Sequence, residues 1–139
     1  MNAKIADLMT RELITAQPHH SVVHVRKLMR SHQLHAIPIL GPDGELRGIV
    51  SSQDLSDSLK DHAPISQIMV RDVYTIPQYN DVHHAARLMR NHRIHHVVVT
   101  HDRKVVGIIS SFDLLELVED HRFVMKSSPS GAKRAPKRR

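Results

Sequence analysis

The residues of this 139-residue chain with the most chemical potential are its 13 histidines and two Ser-x-x-Asp tetrads. His20 and His24 stand four apart, a spacing that puts two side chains on one face of a helix. A second spacing occurs twice, in His32-x-x-His35 and in His92-x-x-His95-His96. Imidazoles grouped in this way can hold a divalent metal at an open site, donate to a phosphate when protonated, or complement the negative end of a helix. Against the metal reading, no carboxylate falls at a spacing that would orient such ligands, and His92 and His95 straddle an expected helix end. The tetrads Ser51–Asp54 and Ser110–Asp113 have the form of helix N-terminal caps. Neither belongs to a G-x-S-x-G nucleophile elbow, and the five glycines form no phosphate-cradling loop. With no cysteine, thiolate metal sites, thiol nucleophiles and disulfides are excluded. The chain does not read as an enzyme.

The elements that must position these groups come in duplicate. Shifted by 60, residues 5–40 lie on 65–100 without a gap, pairing Met9 with Met69, Arg11 with Arg71, Leu28 with Leu88, Met29 with Met89 and His35 with His95. Beyond the loop at 41–45 the shift becomes 59, and GIVSSQDL (48–55) falls on GIISSFDL (107–114). Two copies are too few for a solenoid, so the chain is a duplicated module of about 60 residues. The expected boundaries are 3–62 and 63–122, followed by a basic tail at 123–139.

Each copy predicts the order turn, strand, helix, strand, strand, helix. In copy one, IADLM is a helical turn and ELITA an extended run. Ser21 caps a helix whose Val22, Val25, Leu28 and Met29 form one apolar face. AIPIL and LRGIV are strands joined by the turn residues G-P-D-G, and SSQDLSDSLKDH is a second helix. Copy two follows with Asp81 as the cap, HVVVT and KVVGII as strands, and SSFDLLELVEDH as the last helix. A short sheet flanked by two helices is too small to bury itself, so the two copies are expected to pack their sheets together into one α/β (α+β) body with pseudo-symmetric halves.

In its repeated motifs the chain resembles the cystathionine β-synthase (CBS) domain in its tandem form, the Bateman module, over about residues 3–121. The resemblance rests on M-T-R-E-L-I-T and M-V-R-D-V-Y-T at the two openings, and on L-M-R-S-H-Q-L-H-A-I-P-I and L-M-R-N-H-R-I-H-H-V-V-V in mid-copy. It is completed by the closing G-I-V-S-S-Q-D-L and G-I-I-S-S-F-D-L. It implies a regulatory binding module for adenosine-containing ligands such as AMP, ADP, ATP or S-adenosylmethionine, held in clefts between the repeats and needing no obligatory cofactor. Carried over, one cleft combines Thr75, Ile76, His95, His96 and Val97 with Ser51 and Asp54. The other combines Thr15, Ala16, His35, Ala36 and Ile37 with Ser110 and Asp113. In this reading each carboxylate accepts both hydroxyls of a ribose cis-diol, while the serine and the helix N-terminus donate to a phosphate. The sequence departs from the family where an arginine often precedes the second-strand apolar residue: Ala36 and His96 stand there.

Charge narrows the partners. The net charge of +6 comes from six basic residues between Lys126 and Arg139; the remaining 14 basic residues balance the 14 acidic ones. The tail, rich in Pro, Gly, Ser and like charges, is expected to be disordered. A neutral body with 3% aromatic residues argues against nucleic acid, except weakly through that tail. Apolar runs of about five residues fall far short of a membrane span of roughly 20, and MNAKIADLMTRE has no signal-peptide core. A cytoplasmic protein is expected, and the Leu114, Leu115, Leu117, Val118 stripe suggests a homodimer that could act on a protein partner. Two other classes remain open: an interaction module with empty clefts, and a histidine-mediated metal binder.

Overall fold

A computed structural model of the chain describes residues 3–55 and 60–120. The basic tail and residues 56–59 lie outside the described residues; of the second helix expected over 51–62 in copy one, the described residues form only a 3-10 turn at Ser52–Asp54.

The amphipathic segments form the long helices α2 (Val22–His32) and α3 (Val82–His92). Ser21 Oγ accepts from His24 N–H at 3.1 Å, as a cap should. Asp81 does not cap α3; its carboxylate accepts instead from Lys4 Nζ at 2.8 Å. Both helices end on a left-handed residue, Gln33 and Arg93, each with φ of 55°.

Strands β1 (Ala36–Leu40) and β2 (Leu46–Ser51) make an antiparallel pair in copy one. In copy two, β3 (Thr75–Pro77) runs parallel to β4 (His96–His101), which pairs antiparallel with β5 (Lys104–Ser110). The β4–β5 hairpin closes through Asp102 and Arg103, both at positive φ, in a two-residue turn that matches strand twist. The extended run expected in ELITA does not become a strand. Copy one keeps only a single bridge, Ala16 to Ile39, where copy two builds β3. Proline chemistry accounts for the difference: Val98 N–H donates to the Tyr74 carbonyl at 3.2 Å, and its counterpart Pro38 has no N–H to give.

The helical turn α1 (Ile5–Leu8) opens copy one, and a 3-10 turn at Ile65–Gln67 opens copy two. Each opening packs into the core of the other copy. Ile5 and Met9 lie with Ile76, Val82, Ala85, Met89, Val97, Val99 and Ile109. Ile65 and Met69 lie with Ala16, Val22, Val25, Met29, Ile37, Ile39 and Val50. The two sets occupy the same nine positions of the repeat. The module has two cores joined by exchanged segments.

Backbone pairing fixes the exchange. Thr10 and Ile108 trade two hydrogen bonds of 2.9 and 3.2 Å, and Val70 and Ile49 trade two of 2.9 and 3.0 Å. The guanidinium of Arg11 donates to the Ala6 carbonyl at 2.8 Å and that of Arg71 to the Ser66 carbonyl at 3.1 Å, each bracing its own opening turn. Helix α4 (Ser111–Asp120) closes copy two, and the 3-10 turn Ser52–Asp54 starts the matching region of copy one. No helix among the described residues is long and apolar enough to cross a membrane.

Candidate functional site

Exchange carries residues 10–14 from β5 of copy two back to copy one, and residues 70–74 from β2 of copy one to β4 of copy two. The two crossing segments leave a cavity of about 770 Å³ between the copies. Its wall reads as a list of repeat partners: Glu12 and Asp72, Leu34 and Ile94, His35 and His95, Ala36 and His96, Ile49 and Ile108, Ser51 and Ser110, Asp54 and Asp113. Every lining residue except Pro38 has its counterpart on the wall as well.

Both Ser-x-x-Asp tetrads face this cavity and also cap. Asp54 Oδ2 accepts from the Ser51 N–H at 2.8 Å and the Ser51 hydroxyl at 3.1 Å. Asp113 Oδ2 accepts from the Ser110 N–H at 2.8 Å, while Asp113 N–H donates to Ser110 Oγ at 3.1 Å. The carboxylates are therefore held by one oxygen each, and Oδ1 of each has no hydrogen bond among the described residues. A fixed carboxylate with an open oxygen is a ready acceptor for a hydroxyl.

Among the residues expected to bind, Ser51, Asp54, Ser110, Asp113, His35, Ala36, His95 and His96 line the cavity. Thr15, Ala16, Ile37, Thr75, Ile76 and Val97 do not. Ala16, Ile37, Ile76 and Val97 are buried in the two cores. Strand alternation explains the split: on β1, Ala36 and Pro38 face the cavity while Ile37 and Ile39 face the core. A strict period-two reading of AIPIL and HVVVT would have sorted these faces from sequence. Glu12, Asp72 and Tyr74 carry no site signal in the sequence, because the exchange that brings the openings to the cavity leaves no local signature; Arg93, at the end of α3, reads locally only as a helix terminus.

His95 and His96 sit beside the tetrad of their own copy and share the cavity wall with Ser51 and Asp54. Ser111 N–H donates to the His95 carbonyl at 2.9 Å, His95 Nδ1 lies 3.3 Å from Ser111 Oγ, and His96 pairs with Ser110 in the sheet. In copy one the same register joins Ala36 to Ser51, and Ser52 N–H donates to the His35 carbonyl at 2.8 Å. Burial holds the His96 pKa below its ordinary value of 6.5, and nearby His95 and His35 push it the same way, against the opposing pull of Asp113. His35 therefore acts on His96 across the junction of the copies. His92 leaves the group altogether, stacking on Tyr74 with ring centroids 4.1 Å apart. Among the described residues no three His, Asp or Glu side chains converge as a metal site.

The repeat, the exchanged cores and the shared cavity define a tandem-repeat binding module. The CBS domain family model matches residues 5–61 and 65–120, and the chain belongs to the CBS-domain family as a tandem pair. In fold it is similar to the CBS domain pair of protein MJ0100, solved with 5′-methylthioadenosine and S-adenosyl-L-methionine, at 31% identity and a TM-score of 0.80. The match covers 86% of this chain and 98% of that one. It is also similar to an uncharacterized conserved protein from Pyrococcus horikoshii, at 28% identity and a TM-score of 0.78, over 90% and 98% of the two chains. Among curated proteins it is 33% identical, over 81% of its length, to L-aspartate semialdehyde sulfurtransferase of Methanocaldococcus jannaschii. It spans only 23% of that enzyme.

Proposed function

We propose that this chain is a regulatory module that binds an adenosine-containing small molecule, of the AMP, ADP, ATP or S-adenosylmethionine class, in the cavity between its repeats. Occupancy is passed to a protein partner or to its own dimer. The observation that carries this reading is the pair of tetrads on one cavity wall, each with a braced carboxylate and a free oxygen suited to a ribose hydroxyl. The ligands in the MJ0100 domain-pair complex support the same class. The cavity is roomy enough for a nucleoside ligand, within the range of about 300–1,000 Å³ common for small-molecule sites. Its function is recognition: a ligand that prefers one geometry of the module shifts the population toward it.

Thermal-shift titration with AMP, ADP, ATP and S-adenosylmethionine tests the reading, since a ligand bound only by the native state raises the melting temperature. A rise of several degrees with one of them at saturating concentration is expected. No rise with any of the four overturns it in favour of an interaction module with an empty cavity.

A further inference from the structure

Because the cavity wall is built from repeat partners, the two halves carry mostly matching groups, and only the mismatched pairs distinguish one half from the other. Glu12 balances Asp72, His35 balances His95, and Asp54 balances Asp113. What remains runs in one direction. Gln33 in copy one becomes Arg93 in copy two, Ala36 becomes His96, Ile14 becomes Tyr74, and Gln53 becomes Phe112. Copy two gains a permanent cation, a second imidazole and two aromatic rings.

These gains are gathered in space. Tyr74 stacks on His92, the residue before Arg93, and its hydroxyl lies 3.0 Å from His92 Nδ1. The Tyr74 carbonyl accepts from Val98 on β4, which holds its segment against copy two. Ser111, next to Phe112, bonds to His95. The Arg93 side chain has no hydrogen bond or ion pair among the described residues, so its guanidinium is available to a ligand. Phe112 is 79% exposed, a large apolar ring left on the rim of a cavity. In copy one the same places hold neutral Gln33, Ala36, Ile14 and Gln53, which offer neither a cation nor a ring.

We infer that the cavity contains two unequal sites: the copy-two half, framed by Arg93, His96, Tyr74 and Phe112, takes a phosphate-bearing adenosine ligand, and the copy-one half takes an uncharged one. The inference rests on the proposed adenosine class and adds to it which half reads the anion. An arginine offers several fixed donors to phosphate oxygens, and a neutral imidazole adds one ring N–H. Rings supply faces for a base. The groups opposing an anion there, Asp113 and Asp72, have equals on the other side, so they do not reverse the preference.

Calorimetric titration of the full chain with AMP and with adenosine decides it, using the parent, Arg93→Gln, Asp54→Ala and Asp113→Ala. In the parent, AMP is expected to bind one site at least ten-fold more tightly than adenosine does. Arg93→Gln should cut AMP affinity about ten- to a hundred-fold, the usual loss for one charge-assisted contact, and leave adenosine unchanged. Asp113→Ala should remove the tight AMP site, and Asp54→Ala should spare it. An unchanged AMP-to-adenosine ratio in Arg93→Gln, or loss of the tight AMP site in Asp54→Ala alone, overturns the assignment of halves while leaving the adenosine reading intact. Absence of binding by both compounds to the parent overturns the adenosine reading and the inference together. Arg93→Lys, which keeps the charge without the planar fork, should recover part of the AMP affinity.

Discussion

Gly107→Ala is expected to loosen the junction between the copies, because a Cβ there meets the exchanged segment head-on. It would stand 2.7 Å from the Thr10 carbonyl oxygen and 2.9 Å from Met9 Sδ. The methionine sulfur can move, but the carbonyl belongs to a backbone fixed by its own pair of hydrogen bonds with Ile108. Relief requires either off-rotamer packing, about 1–3 kcal/mol, or loss of those two bonds at about 1 kcal/mol each. A cost of about 2–3 kcal/mol follows. The upper bound is undocking of the opening segment, which would expose Ile5 and Met9 at about 1.5–3 kcal/mol apiece. For a folded body of this size, each kcal/mol moves the melting temperature by about 4 °C, so a drop of about 8–12 °C is expected. Gly48→Ala, whose Cβ would lie 2.9 Å from the Val70 carbonyl oxygen, should behave alike. Gly44→Ala is the control: its surroundings are open and only its φ of 83° resists, a strain of about 1 kcal/mol. Urea and thermal unfolding of the three variants provide the measurement. If Gly107→Ala matches the parent, or costs less than Gly44→Ala, the junction is not the close backbone contact described.

Asp54→Ala and Asp113→Ala should each lose ligand in their own half of the cavity, while thermal unfolding shows only about 1 kcal/mol lost with the cap. The depressed pKa of His96 means that the unfolded chain takes up a proton before the folded one does. Its contribution to stability is therefore complete above about pH 6.5 and falls away as the pH drops below that value. His96→Gln should flatten this slope in urea titrations between pH 8 and pH 5. A residual slope should survive, since His20 is depressed in the same direction by burial and by His24 and His19. The carboxyls of Asp81 and Glu45, held low by Lys4 and by backbone donors respectively, act in a separate window near and below pH 4. Light scattering should give a dimer, with Leu115→Glu and Val118→Glu on the exposed face of α4 producing a monomer; a parent that is monomeric throughout the micromolar range would refute the proposed assembly.

Most elements could be placed from local pattern alone. The 60-residue shift located α2 and α3, the apolar spacing named their inner faces, and Ser21 was recognised as a cap because its oxygen serves its own helix. Asp81 misled because its carboxylate is claimed by Lys4, 77 positions away, and no local rule registers such a competitor. Thr15 and Ala16 misled because the strand there depends on an N–H that Pro38 lacks. Both tetrads line the cavity, and their motif is contiguous enough to be read locally. Which histidines stand beside each tetrad depends on sheet register, which sets His96 opposite Ser110. Arg93 and Tyr74 carry no local signal for a related reason: each matters only by contrast with its partner in the other repeat.

The exchange of opening segments has a consequence for how such a chain could have arisen. A single ancestral unit would have carried the piece that seals a core, but not its own; two separate molecules would have had to clasp each other, each completing its neighbour. Fusing two such units turns an encounter between molecules into closure within one, at an effective concentration fixed by the connecting residues 55–64 instead of by expression level. It also frees the two halves to differ, as Gln33 and Arg93 do, since a change at one half need not appear in both. Cutting the chain between residues 62 and 63 should reverse this history, giving two fragments that become ordered only when mixed.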